Sequence, residues 1–345
     1  MTTESTGAER SPDWLIRPFE KSRLAPAWLG LGVAIAWTLL FGLVHTVADT
    51  ILGPLEEPFG WTVVVDGVFV GVLLAGHAHL YLRALSDLHE LAPILPGGDT
   101  ELARLPDELP NLSAPIRWLA TIIGAAGGVH MALHDPTLYD RYSQFAQSDP
   151  RYIAFLLQNV IFGGISARMI AAEVHMTRAY ARLGERVEVD LLDLSKLRVF
   201  ARKGLRSVVV WVLVSSTLSL FWVIGAAGQA NGSMVYVMVG LVLLALVAPT
   251  LGVHRSIAAA KAAELTTLAE AIRTERASTL APRRADAPED ARLGNLLAYQ
   301  AFVRSVREWP FDLSIVARSV LLILLGAGSW LGGALVERLL DVLLD

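Results

Sequence analysis

Seven stretches of about 20 mostly apolar residues recur along this chain, at roughly 27–51, 61–83, 116–134, 152–178, 205–227, 233–252 and 315–337. A helix needs about that many residues to cross the hydrocarbon of a bilayer. Hydrophobic residues make up 54% of the chain and charged residues 18%. A soluble domain of 345 residues could not bury that much apolar surface, whereas a bilayer can solvate it. The expected fold class is therefore all-α, a polytopic membrane protein of seven transmembrane helices. The fifth and sixth stretches are the most apolar; the second and third are interrupted by polar residues.

Orientation follows from where lysine and arginine fall. With the amino terminus inside, 25 of the 29 basic residues lie in the tail and in the 83–117, 178–206 and 253–318 connections. Only Arg141, Arg151 and Arg338 would lie outside, with Arg168 inside the fourth span. The expectation is amino terminus in, carboxyl terminus out, in a plasma or inner membrane. The first 24 residues are polar and lack the apolar core of a signal peptide. A net charge of −4 argues against a nucleic-acid partner. With no cysteine, disulfides, thiolate metal sites and cysteine nucleophiles are excluded.

Four regions result: a polar cytosolic tail over 1–24, a six-helix bundle over 25–252, a cytosolic helical hairpin over 253–314, and a final span with its end over 315–345. In the third region Leu265, Leu268 and Ile272 recur at helical spacing, as do Leu296, Tyr299 and Val303. APRRADAPED between them is a polar, proline-containing turn. Two apolar stripes joined this way are expected to pack as an antiparallel hairpin.

Ionisable residues in membrane spans are costly and are candidates for function. His45 and Asp49 lie four apart at the outer end of the first span, and His130 and His134 four apart at the outer end of the third. Asp135 follows, and Asp66 is near the outer end of the second. Spacing of i, i+4 puts two side chains on one helix face, and histidine with carboxylate suits zinc and similar ions. The metal candidates are thus His45, Asp49, His130 and His134, set against ordinary interfacial residues; no other cofactor is expected. On the inner side lie His77, His79, Arg168, Glu173 and His175. Arg168 is expected to pair with Glu173 or to reach the interface.

The last span carries Gly328 and Gly332 at G-x-x-x-G spacing, with Ser329 between them and Glu337 at its outer end. Small residues let helices approach closely in lipid, and rings of charge tune ion permeation. These four are the pore candidates. Pro249 and Pro310 are the hinge candidates, because proline removes a backbone donor and disturbs the helix before it. No Walker loop, H-E-x-x-H or G-x-S-x-G is present, which points away from an enzyme.

Seven spans, a long inner region (HRSIAAAKAAELTTLAEAIRTER to VRSVREWPFD) and a last helix LSIVARSVLLILLGAGSWLGGALVERLL resemble in topology the insect odorant and gustatory receptor channels. That resemblance implies a homotetrameric cation channel, here of prokaryotic type. The inner helices would anchor the subunits and the last helix would line the pore. A transporter or metal-handling protein using the outer His/Asp set, and a non-conducting sensor or scaffold, are the alternatives.

Overall fold

The structure is a computed structural model and describes residues 14–53, 60–97, 112–134, 149–223, 232–280 and 291–310, with positions 317 and 321. The described residues are helical, with no strand among them. Among the described residues, six helices are long and apolar enough to cross a membrane, and the chain is an integral membrane protein. The expected seventh span, with Gly328, Ser329, Gly332 and Glu337, lies outside the described residues apart from positions 317 and 321, as do Asp135 and the side chain of His134.

The short α1 (Arg17–Lys21) buries Ile16 and Phe19 against the bundle. Tyr81 donates to Glu20 at 3.1 Å and ties α1 to the third helix. Helix α2 (Pro26–Leu52) opens on a proline, whose missing N–H would be unpaired there anyway. It runs from this near end of the bundle to the far end. Its buried residues are Gly30, Ala34, Trp37, Phe41, His45 and Ala48, one stripe at helical spacing. Its exposed side carries Leu31, Ile35, Leu39, Leu43 and Val47. Gly30, Ala34 and Ala48 on the inward side allow close approach, as suits lipid, where hydrocarbon gives no hydrophobic drive between helices.

Helix α3 (Gly60–Leu91) returns to the near end and is the central helix, packed against α2, α5 and α6. It crosses α2 where Gly71 meets Gly30; a Cβ on either would collide with the other's carbonyl oxygen. Helix α4 (Ala114–His134) packs on α5 (Pro150–Gly184) by the same device. Gly124 faces Gly163 backbone to backbone, and Gly128 faces the carbonyl of Asn159. The remainder of α4 shows Trp118, Leu119, Ile122 and Ile123 outward.

Helix α6 (Arg198–Val223) rises from the near end against α3, and α7 (Gly232–Leu280) packs against both α5 and α6. At 49 residues, α7 spans about 73 Å, over twice the hydrocarbon thickness. It is one helix, not a span followed by a separate arm. Pro249 is interior to it, and Gly252 continues the helix while letting α7 touch Ala181 of α5. Past Gly252 the helix becomes charged and projects beyond the bundle. Helix α8 (Ala291–Ser305) lies antiparallel along this projection. Arg292 pairs with Glu275 at 3.7 Å near the tip, and Val303 is fully buried nearer the bundle. Burial and then the carboxylate of Glu264 raise the Tyr299 phenol above its ordinary value.

Candidate functional site

Two ionic clusters and one clamp bring the charged residues of the bundle together. The first cluster is at the far end. Asp149 precedes α5 and caps it, accepting the N–H of Arg151 at 2.8 Å. The Arg151 guanidinium then turns back on the same carboxylate, Nε and Nη2 both donating to it. Its Nη1 donates to Asp49 of α2 at 2.8 Å and to the carbonyl of Gly53 at 3.0 Å. Gly53 has φ 93°, a left-handed conformation that suits glycine. Arg151 is 4% exposed, so this fork is a buried latch between the end of α2 and the start of α5. The hydrogen bonds of Arg151 hold the Asp149 carboxyl below its ordinary value of 3.8.

The latch bears on the metal candidates. Asp49 points at a guanidinium, and His45, buried one turn earlier, lies in the field of Arg151 and Asp149. His130 is exposed on α4, which packs mainly against α5, away from α2. Among the described residues, no three of histidine, aspartate and glutamate come together as a metal site.

The second cluster sits toward the near end, between α3, α5 and α6. Glu173, Thr177 and Tyr180 lie at i, i+4, i+7 on α5, one face of that helix. Lys203, Arg206 and Ser207 share a face of α6, and Asp87 comes from α3. Lys203 forms a buried ion pair with Glu173 and donates to Ser207 at 2.8 Å and Thr177 at 3.3 Å. Arg206 grips both oxygens of Asp87 at 2.9 and 2.8 Å, and the Tyr180 hydroxyl donates to the same carboxylate at 3.2 Å. The Lys203 ammonium stands 6.0 Å from the Tyr180 ring centroid and links the two halves. Arg202 pairs with Glu90 beside them.

Glu173 thus finds its counter-ion on the next helix rather than in Arg168. Five residues apart on one helix, Arg168 and Glu173 point about 140° away from each other. The Arg168 guanidinium lies 5.7 Å from the Trp14 ring centroid. One oxygen of Glu173, Oε2, makes no hydrogen bond among the described residues, though the residue is 4% exposed. A buried acid with a spare oxygen beside an amine and two hydroxyls can hold or hand on a proton or a small cation.

The clamp lies where α7 leaves the bundle. His254 stacks on Trp309, centroids 4.2 Å apart and planes at 12°. Its Nδ1 is 3.1 Å from the carbonyl of Glu308, which fixes the proton on that nitrogen. Lys261 donates to the carbonyl of Val306 at 2.8 Å and pairs with Glu308 at 3.4 Å. Pro310, the second hinge candidate, follows directly and is half-buried. Residues 306–309 are therefore held against α7.

No family model matches the chain, and no curated protein or solved structure matches it.

Proposed function

We propose that the chain is one subunit of a homotetrameric cation channel. Its last span lines the conduction path, and the projection of α7 with α8 holds the copies together. The observation that carries this reading is the large apolar side chains that α8 leaves exposed. Leu297 and Phe302 are 48% and 41% exposed, about 140° apart around α8, on a hairpin that projects past the apolar part of the bundle. Lipid does not cover side chains there, and large apolar groups in water mark a contact with another chain. The clamp supports the same reading. Residues 306–309 are fastened to α7 immediately before the last span, so a movement of the hairpin is transmitted to that span. In this reading Gly328, Ser329 and Gly332 allow four helices to approach an axis, and the Glu337 carboxylate draws cations to its mouth. The excess of basic residues in the hairpin supports a cytosolic position for it.

The test is assembly and flux together. Leu297→Glu with Phe302→Glu should leave a folded monomer and abolish cation flux in liposomes. A double variant that conducts as the parent does would remove the reading.

A transporter is the second reading, favoured by the buried Glu173–Lys203 pair with its hydroxyl neighbours. It expects Glu173→Gln to stop a pH-driven uptake in a monomer. The channel reading expects that variant to change stability and leave the pore's cation selectivity intact.

A further inference from the structure

Between α2, α3 and α6, at the near end, lies an apolar groove of about 550 Å³. Its walls are made of small and aliphatic residues: Ala27 and Ala34 on α2, Gly71 and Ala75 on α3, Val209 and Leu213 on α6. Ala27 and Leu213 are exposed, so the groove opens sideways toward the lipid. From Ala25 to Ala34 it runs about 14 Å at 1.5 Å per residue. That is half of the roughly 30 Å hydrocarbon core, the depth of one leaflet.

Its polar features gather at one end. His79 is the imidazole in the wall. Arg83 lies one turn further toward the near end of the same helix, exposed, and close enough for its charge to act on His79. Arg23 is also exposed, two residues before Ala25 at the mouth, in a bend where the Leu24 N–H donates to the Ser22 hydroxyl at 3.0 Å. Of the acidic groups nearby, Glu20 accepts from Tyr81 and Asp87 is taken by Arg206. Among the described residues, Arg23 and Arg83 therefore leave the mouth net positive.

We propose that this groove is a binding site for an anionic phospholipid. One acyl chain lies along α3 between α2 and α6, and the phosphate is held by Arg23, Arg83 and His79. Length, apolar lining and charge at one end match a leaflet lipid. A zwitterionic headgroup brings its own cation to the mouth and gains less there. Each basic residue beside a membrane surface favours an anionic lipid about fivefold.

The test uses the full chain in nanodiscs of equal phosphatidylglycerol and phosphatidylethanolamine, with lipids retained after mild delipidation counted by native mass spectrometry. The parent should keep phosphatidylglycerol over phosphatidylethanolamine by about 25-fold, about fivefold for each arginine. Arg23→Ala with Arg83→Ala should bring the ratio near unity, and the paired lysine variants should restore most of it. Both arginines are exposed, so these variants keep the fold. Ala27→Phe, which fills the groove from its open side, should lower retention of both lipids. Equal retention of the two lipids by the parent would overturn the proposal. So would Ala27→Phe separating associated copies with the lipid count unchanged, since the groove would then belong to a second copy.

Discussion

The most exacting contacts in this bundle are those of single charged side chains. Arg151 satisfies two carboxylates and a carbonyl from a nearly closed site. Removing one partner of such a set leaves buried charge unpaired, at a cost of about 3–5 kcal/mol. Arg151→Ala should therefore lower thermal stability in detergent severely. Asp49→Asn, at the more exposed partner, should lower it much less. The latch also sets a pH dependence. The Asp149 carboxyl titrates lower when folded than when unfolded. Its contribution is thus complete above about pH 4 and disappears as the pH falls through the depressed folded value. The melting temperature of the parent should fall along that window, and Arg151→Ala should flatten this part of the profile. A parent profile already flat from about pH 5 to pH 2 would contradict the latch. At the other cluster, Lys203→Met should cost about 3–5 kcal/mol alone and much less when combined with Glu173→Leu. Asp49 and Glu173 stood out in the sequence because acids in apolar stretches are conspicuous. Their partners did not. Arg151 is 102 positions from Asp49, and Lys203 falls before the apolar run of α6, where it reads as one more basic residue of a loop. Helix α6 begins at Arg198, so Lys203 is already on its second turn and faces inward. A readable signal existed in the face made by Glu173, Thr177 and Tyr180.

Helices in this molecule are matched by small residues as much as by apolar ones. The Gly124–Gly163 contact brings two backbones together with no room for a side chain. Gly163→Leu should loosen α4 from α5 and cost about 1–3 kcal/mol. Gly127→Leu, three residues along where nothing lies within 4 Å, should be nearly neutral. Equal melting temperatures for the two variants would show that α4 is not seated by this crossing. Six of the seven expected spans correspond to described helices, because about 20 apolar residues are hard to place anywhere but in a membrane. The glycines at these crossings were less legible: in an apolar run a glycine at an interface looks like one facing lipid. The extent of α7 was less legible still. A change from apolar to charged sequence near 253 suggests an element boundary, yet the helix runs on to Leu280. Composition reports what surrounds a helix, whereas its end is set by a breaker, and none falls between Gly252 and Leu280 that the packing does not absorb.

Across the described residues, six helices form a bundle with α3 at its centre, and one of them carries a hairpin that projects beyond it. The bundle is locked at both ends by ion pairs, as suits a scaffold against which another element moves. Residues 306–308 are fastened to α7 through His254 and Lys261, and α8 leaves Leu297 and Phe302 exposed. Residues 328–337 are proposed as the conduction path on their own sequence pattern, small residues followed by a carboxylate. Gly332→Leu should block flux or break the assembly, and Glu337→Lys should reduce cation flux by reversing charge at the mouth. Both expectations depend on the chain working as several copies around an axis. The most direct measurement is the mass of the parent protein released from nanodiscs by native mass spectrometry. The expected particle has four chains of 37.3 kDa each, and Leu297→Glu with Phe302→Glu reduces it to one. A parent particle with the mass of a single chain would contradict it.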